Sequence, residues 1–161
     1  MSDAGEALFG IGSYEEALTR FVRCGERGGR RRIAARCALR AGDCRYSLRR
    51  WGEAAAAYAD VIERYGDGPY ADEARYRMAL ALEQNGRKDE AERILGRLSS
   101  RDDLPRALRA RVLEKLARRL IARGETAEAR GRVDELVRIE RTAATLSLRG
   151  CLLYTSDAAD E

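Results

Sequence analysis

The chain has 161 residues and a formal charge of +4, and its 31 basic residues are almost all arginine, with lysine only at Lys88 and Lys115. It contains no histidine, which excludes Ser-His-Asp and Cys-His catalytic sites and every histidine-ligated metal site. Hydrophobic residues make up 45% of the chain, too many for a disordered protein, and the presence of only two prolines favours helix. No apolar run is long enough to predict a transmembrane segment.

A six-residue block recurs four times along the chain, at positions 12–17, 49–54, 86–91 and 124–129. Each block ends on an alanine, and successive alanines lie 37, 37 and 38 residues apart. A large apolar side chain follows each alanine by four residues, which places the two on one face of a helix. These apolar residues are Phe21, Tyr58, Leu95 and Val133. Each block therefore predicts the start of an amphipathic helix.

Another helix is predicted before each block. A small residue stands twelve positions ahead of each alanine, where it allows two helices to approach closely; these residues are Gly5, Gly42, Ala79 and Ala117. Gly12, Gly86 and Gly124 are expected to form the turns, because glycine readily adopts the left-handed conformation that ends a helix. The third repeat shows the pattern most fully, with helices predicted over 70–84 and 88–98. Each repeat is thus predicted to be a helical hairpin.

The pattern of small residue, glycine turn, aromatic-x-Glu-Ala and a second large apolar residue resembles the tetratricopeptide repeat (TPR). The stretch 65–76 is similar to the repeat variant of bacterial envelope proteins of the outer-membrane-assembly lipoprotein and cell-division-coordinator type. The resemblance implies an all-α fold, a right-handed α-solenoid of about four helix-turn-helix repeats that is incomplete at both ends. Two positions depart from the family pattern, with Gly66 in place of proline and Arg45 in place of an aromatic residue.

We expect the four repeats at 1–29, 30–66, 67–103 and 104–141, and the start of a truncated fifth repeat at 142–150. Residues 151–161 differ in composition from the rest and read as a translated sequencing adaptor. We treat them as a non-native tail and leave them out of the predicted fold. Without the tail, residues 1–150 carry 31 basic and 24 acidic residues, a formal charge of +7.

The last complete helix predicted in this array carries Val133, Leu136 and Val137, and its apolar face would lack a covering neighbour. Repeats in a solenoid bury their faces against adjacent repeats and need polar caps at the ends of the stack. We therefore expect a chain of residues 1–150 to be marginally stable, or to self-associate through this uncapped C-terminal helix.

The three cysteines outside the tail, Cys24, Cys37 and Cys44, lack the paired spacing of a zinc site and have no histidine to complete one. We therefore expect no metal and no cofactor. The favoured interpretation is small, buried free thiols in a reducing compartment, with a disulfide and a redox role as alternatives. Localisation stays open: cytoplasmic for the sequence as written, which has no signal peptide, and periplasmic if a signal segment is encoded upstream.

Arginine is concentrated between residues 26 and 50, where nine arginines accompany two acidic residues. The resemblance implies that the first helix of each repeat lines a concave groove that holds extended peptides. That groove would collect Arg36, Arg40, Tyr46, Tyr76, Arg77, Arg111, Lys115 and Arg118. Such a basic groove suits an acidic segment or a C-terminal carboxylate, because guanidinium groups bind carboxylates bidentately. The competing interpretations are a plain solvated face in a protein from a GC-rich bacterial genome and, as the least favoured, nucleic-acid binding.

No catalytic constellation stands out, and acidic pairs such as Glu15 and Glu16 lie at predicted helix starts, where they complement the helix dipole. The leading hypothesis is therefore not an enzyme but a non-catalytic scaffold that binds an extended acidic segment of a partner protein. One version of this scaffold is a bacterial envelope component. The alternatives are the repeat portion of a larger cytoplasmic signalling or transcription regulator, and the accessory part of an enzyme whose catalytic domain lies outside this sequence.

Overall fold

The computed structural model describes residues 2–26, 30–66 and 68–157, and these residues form nine α-helices and no strand. The helices are α1 (Ser2–Gly10), α2 (Tyr14–Glu26), α3 (Arg31–Ser47), α4 (Trp51–Tyr65), α5 (Pro69–Gln84), α6 (Lys88–Ser99), α7 (Arg106–Ala122), α8 (Thr126–Ile139) and α9 (Ala143–Asp157). They belong to two compact units, Met1–Ile94 and Leu95–Glu161, called the first and second unit below. The helices predicted over 70–84 and 88–98 match α5 and α6 to within one residue at each end. No helix in the described ranges is long and apolar enough to cross a membrane.

In the first unit each of the helices α1 to α4 packs against the next one along the chain. The repeated alanines and the apolar residues four positions later form the centres of these contacts. Ala17 and Ala54 are completely buried, and Phe21 and Tyr58 are each only 1% exposed. The periodic residues therefore form the core that the sequence predicts, because positions four apart face the same neighbouring helix.

Two of the four small residues predicted to allow close helix approach, Gly5 and Gly42, do so. A Cβ atom placed on Gly42 would lie 2.8 Å from Cδ1 of Tyr58, and one placed on Gly5 would lie 2.8 Å from Cε1 of Phe21. Carbon atoms normally pack about 3.5–4.0 Å apart, so each aromatic ring occupies the space that a side chain at the glycine would need. The contact of Gly5 with Phe21 in the first hairpin is therefore equivalent to the contact of Gly42 with Tyr58 in the second.

The glycine turns are also confirmed. Gly12, Gly86 and Gly124 have φ angles of 82°, 83° and 76°, in the left-handed region that ends a helix. The turn between α3 and α4 has no glycine, and there Arg49 takes the left-handed conformation with φ 59°. A residue other than glycine rarely adopts this conformation, so this turn is enforced by the packing of the two helices that it joins.

In the second unit α7 packs against α8, and α8 packs against α9. Helix α9 extends to Asp157 and so includes part of the segment that we left out of the predicted fold. Its residues Leu148 and Leu152 are 7% and 2% exposed and join the cluster around α8. Val133 and Leu136 are consequently buried, at 0% and 1% exposed. The expectation that this face stays partly uncovered is therefore wrong for the chain of 161 residues, because α9 covers it.

The expectation of free thiols is wrong for two of the three cysteines. Cys24, near the end of α2, forms a disulfide with Cys37 of α3, and their Cα atoms are 5.9 Å apart. Cys44 is free and completely buried, and burial raises the pKa of its thiol to about 11. The disulfide forms because the end of α2 packs beside the second turn of α3, a tertiary contact that cysteine spacing does not reveal.

Candidate functional site

The residues predicted to line the groove divide between the two units. Arg36, Arg40, Tyr46, Tyr76 and Arg77 belong to the first unit, and Arg111, Lys115 and Arg118 belong to the second. The helices that carry them are α3 and α5 in the first unit and α7 in the second. The geometry of each set is therefore given within its own unit.

The arginines on α3 bind carboxylates of their own chain. Arg36 donates a hydrogen bond to Glu6 Oε1 at 3.2 Å, and its side chain remains about half exposed. Arg40 is more enclosed: it forms ion pairs with Glu6 and with Asp43, the latter at 3.0 Å, and its guanidinium lies 4.6 Å from the ring centre of Phe9. The hydrogen bond from Arg40 lowers the pKa of Glu6, and the same bond raises the pKa of Arg40. Helix α1 therefore supplies a counter-charge to α3.

Asp43 is the centre of a buried polar cluster, which we call the Asp43 network. The side chain of Asp43 is 9% exposed, accepts a hydrogen bond from the Tyr58 hydroxyl at 2.8 Å and forms an ion pair with Arg77. Arg77 also binds Glu73 at 2.8 Å. Burial lowers the pKa of Arg77, but the charges and hydrogen bonds of Asp43 and Glu73 together outweigh burial, so that the pKa rises. Burial, followed by the charge of Asp43, raises the pKa of Tyr58.

The Asp43 network changes what two of the predicted groove residues contribute. Arg40 and Arg77 are each about three-quarters buried and already bind carboxylates on α1, α3 or α5. A buried arginine that is compensated in this way contributes little positive potential to an approaching ligand. Arg40 therefore links α3 to α1, and Arg77 links α5 to α3.

The predicted tyrosines are half-buried. Tyr46 packs edge-on against Trp51, with ring centres 4.7 Å apart, and burial raises the pKa of its hydroxyl. Tyr76 lies one residue before Arg77 on α5 and is likewise half-buried. Both rings keep part of their surface accessible, as a residue that contacts a bound peptide requires.

In the second unit the predicted residues lie along α7. Arg118 binds Glu114 one turn earlier at 2.9 Å and is 55% exposed. Arg111 is exposed and Lys115 is half-buried. A charge pair between exposed residues four apart on one helix stabilises it only by about 0.3–0.5 kcal/mol, so Arg118 can exchange its partner at little cost.

A cleft between α3 and α5 in the first unit combines an apolar floor with a basic rim. Its volume is about 810 Å³, within the range of ligand sites. We call it the α3–α5 cleft, and it is lined by Arg31, Arg32, Ala35, Leu39, Tyr65, Gly68, Tyr70, Ala71 and Glu73. Arg31, Ala35 and Leu39 follow one another at four-residue intervals and so form a single stripe along α3.

The charges at this cleft are uneven. Arg31 and Arg32 are exposed and form no ion pair with any other residue that the structure describes. Arg31 donates one long hydrogen bond, 3.4 Å, to the carbonyl oxygen of Arg64. The acidic residue in the lining, Glu73, already binds Arg77. Among the residues that the structure describes, the cleft therefore presents two guanidinium groups without an ion-pair partner beside an apolar floor.

Neither Arg31 nor Arg32 is among the predicted groove residues, although both belong to the arginine-rich stretch identified in the sequence. The four-residue spacing of Arg32, Arg36 and Arg40 places all three on one face of the predicted helix, but the predicted groove includes only Arg36 and Arg40 of the three. The apolar floor was harder to predict from the sequence. Leu39 and Ala71, which are 5% and 2% exposed, are of residue types that occur in every helix–helix contact, so nothing in the sequence marks them as part of a cleft.

The described residues contain no group of three or more histidine, cysteine, aspartate or glutamate side chains that could hold a metal ion. The buried acidic residue Asp43 is bound on one side by arginines and on the other by a tyrosine hydroxyl. These partners satisfy the buried carboxylate of Asp43, so its burial is explained by helix packing and does not need a metal ion.

Comparisons with known proteins agree with the fold. Residues 45–112 match the family model of the tetratricopeptide repeat. The fold is similar to the crystal structure of a single-residue variant of a Podosopora anserina protein assigned to the kinesin light chains and built from nearly identical TPR-like repeats. The TM-score is 0.71 at 16% sequence identity, over 99% of this chain and 84% of that one. A comparison with curated proteins found no match. The residues that the structure describes thus have an all-helical, TPR-like repeat fold.

Proposed function

We propose that this chain is a non-catalytic scaffold that holds an extended, acidic segment of another protein. TPR-type repeats generally bind proteins or peptides, because a stack of helical hairpins offers a long, pre-formed surface. The observation that carries the acidic partner is the α3–α5 cleft, where Arg31 and Arg32 border an apolar floor. Guanidinium groups bind carboxylates in a fork-like geometry, and the floor supplies contact area for the apolar side chains of the same segment.

The predicted groove residues contribute to this proposal in different ways. Arg36 lies one turn beyond Arg32 and is half exposed, so it extends the basic rim along α3 even though it binds Glu6. Tyr46, Tyr76, Arg111, Lys115 and Arg118 remain proposed contact residues, while Arg40 and Arg77 position the helices that carry the rim.

The test is a binding measurement on the full chain. A fluorescein-labelled twelve-residue peptide of alternating glutamate and leucine is titrated with the protein, next to the matching lysine–leucine peptide. We expect the double substitution Arg31→Glu and Arg32→Glu to weaken binding of the acidic peptide at least about tenfold, since each exposed charge-assisted contact contributes on the order of 1 kcal/mol.

The matched control is the double substitution Arg20→Glu and Arg23→Glu, which reverses the same charge on exposed positions of α2 in the same unit. The control variant should bind the acidic peptide within about twofold of the unmodified chain, apart from the general effect of net charge. An equal loss of affinity for the acidic peptide in both variants would show that binding depends on net charge alone and not on the α3–α5 cleft. Equal affinity of the unmodified chain for both peptides would contradict the proposal of an acidic partner.

The disulfide favours the envelope version of this scaffold over the cytoplasmic one. Disulfides persist in oxidising compartments and are rare where glutathione keeps thiols reduced. Expression of the chain in a bacterial periplasm should yield Cys24 and Cys37 in the linked form, whereas cytoplasmic expression should yield alkylatable thiols at both positions. Complete linkage in the reducing cytoplasm would remove this support for an envelope location.

A further inference from the structure

We propose that the Cys24–Cys37 disulfide is a reducible latch that fixes the end of α2 and thereby sets the shape of a second cleft in the first unit. This second cleft has a volume of about 490 Å³ and lies between α2, α3 and α4. Its lining includes Phe21, Val22, Gly25 and Glu26 of α2 and Ala38 of α3. We call it the α2–α4 cleft.

The disulfide joins two walls of this cleft. On α2, Cys24 is flanked by cleft residues, with Gly25 next to it and Val22 two positions earlier. On α3, Cys37 directly precedes the cleft residue Ala38. The covalent bond therefore fixes the distance between the α2 wall and the α3 floor at the level of the cleft.

The fully buried residues of α2 lie before the disulfide. Ala17 and Phe21 are 0% and 1% exposed and anchor the first two turns of the helix. Beyond Phe21 the packing weakens: Val22 and Gly25 are only partly buried and Glu26 is exposed. The last turn of α2 is therefore held chiefly by the disulfide, and its reduction frees this turn while the start of the helix stays packed.

The chemistry of opening is a thiol–disulfide exchange with a dithiol reductant. A thiolate of the reductant attacks Sγ of Cys24, which is partly exposed, whereas Cys37 is only 1% exposed. The S–S bond breaks, Cys37 leaves as a thiolate and takes up a proton, and the second thiol of the reductant then releases Cys24. Two electrons and two protons pass to the protein, and the reductant becomes a disulfide.

Cys44 does not take part in this exchange. It is completely buried, and it lies two helical turns beyond Cys37, about 10 Å along the axis of α3. This distance is too long for a disulfide between them. Cys44→Ser is therefore a control in which the first unit loses a cysteine but keeps the Cys24–Cys37 disulfide.

The experiment is hydrogen exchange on the full chain, oxidised and after treatment with excess dithiothreitol. We expect amide exchange over residues 22–26 to accelerate at least about tenfold on reduction, because loss of the cross-link permits local opening. Exchange over α8, in the second unit, serves as the internal reference and should not change. The variant Cys24→Ser should exchange like the reduced chain without any reductant, and Cys44→Ser should retain the response of the unmodified chain.

Three outcomes would overturn the latch. The first is peptide mapping of the oxidised chain that fails to recover Cys24 and Cys37 as one linked pair. The second is identical exchange over 22–26 in the oxidised and reduced chains. The third is acceleration that spreads equally through α3 and α4, which would make the disulfide a global structural cross-link.

Discussion

The contact between Gly42 and Tyr58 can be tested by replacing the glycine with alanine. We expect Gly42→Ala to lower the free energy of unfolding, whereas the same substitution at Gly25 should leave it unchanged or raise it slightly. In Gly42→Ala the new methyl group would lie 2.8 Å from Cδ1 of Tyr58 and closer still to Cε1. The ring cannot rotate away, because it is 1% exposed and its hydroxyl donates to Asp43 at 2.8 Å. One of the two helices must therefore move.

Overpacking of this kind costs about 1–3 kcal/mol. The substitution also gains about 0.5–1 kcal/mol, because alanine loses less conformational entropy than glycine when it enters a helix. Because the ring cannot rotate away, we expect a cost in the upper half of that range, about 2–3 kcal/mol, and hence a net loss of about 1–2.5 kcal/mol in the free energy of unfolding. Gly25→Ala is the control: it lies in α2 of the same unit, and no atom comes within 4 Å of its added methyl group. This variant should be as stable as the unmodified chain or slightly more stable.

The assay is urea unfolding followed by the fluorescence of Trp51, the single tryptophan, which lies at the start of α4 and reports on the first unit. A double-mutant cycle with Tyr58→Leu tests the cause, since a smaller and more flexible side chain should relieve about 1 kcal/mol of the penalty at Gly42. If Gly42→Ala unfolds at the same or a higher urea concentration than the unmodified chain, the close approach of α3 and α4 at this point is refuted.

Three further changes test other parts of the structure. Asp43→Ala should lower the free energy of unfolding by about 2–4 kcal/mol in urea titrations, because it leaves the buried Tyr58 hydroxyl without its acceptor and removes one of the two carboxylates that Arg40 and Arg77 each bind. Arg118→Ala should cost less than about 1 kcal/mol, and equal costs would contradict the Asp43 network. Folding raises the pKa of the Cys44 thiol from 9.0 to about 11, so between these pH values the unfolded chain loses the thiol proton more readily than the folded chain. The free energy of unfolding should therefore fall as pH rises from about 9 towards 11, and Cys44→Ala should flatten that part of the curve of stability against pH. A chain that ends at Gly150 lacks Leu152, which belongs to the apolar cluster on α8. This chain should dimerise, as measured by ultracentrifugation at several concentrations, or unfold at a lower temperature in thermal scans. A monomer with an unchanged melting temperature would contradict the capping role of α9.

Much of the fold could be predicted from the sequence because its determinants are local. The spacing of Ala17 and Phe21 fixes one buried face, and the left-handed preference of Gly86 fixes where α5 ends. The close approach at Gly42 was also predictable, because a small residue recurs at a constant distance from each repeated alanine. These signals depend on helical periodicity and on the backbone freedom of single residues, and neither requires knowledge of distant contacts.

The proposed site was less predictable, because arginines that look equivalent in sequence differ in their tertiary partners. Arg32 and Arg40 are two turns apart on one face of α3, yet Arg40 binds Glu6, which lies 34 residues earlier, and Arg32 borders an apolar cleft. The pairing of Cys24 with Cys37 likewise depends on how α2 packs on α3.

Composition and periodicity determined that this protein is a stack of helical hairpins rich in arginine. Only the tertiary structure decided which of the positive charges form ion pairs within the described part of the chain and which border the α3–α5 cleft without one. The physical reason is that helix formation depends on neighbours within about one turn, whereas the field at a guanidinium group depends on every carboxylate that folding brings within a few ångströms.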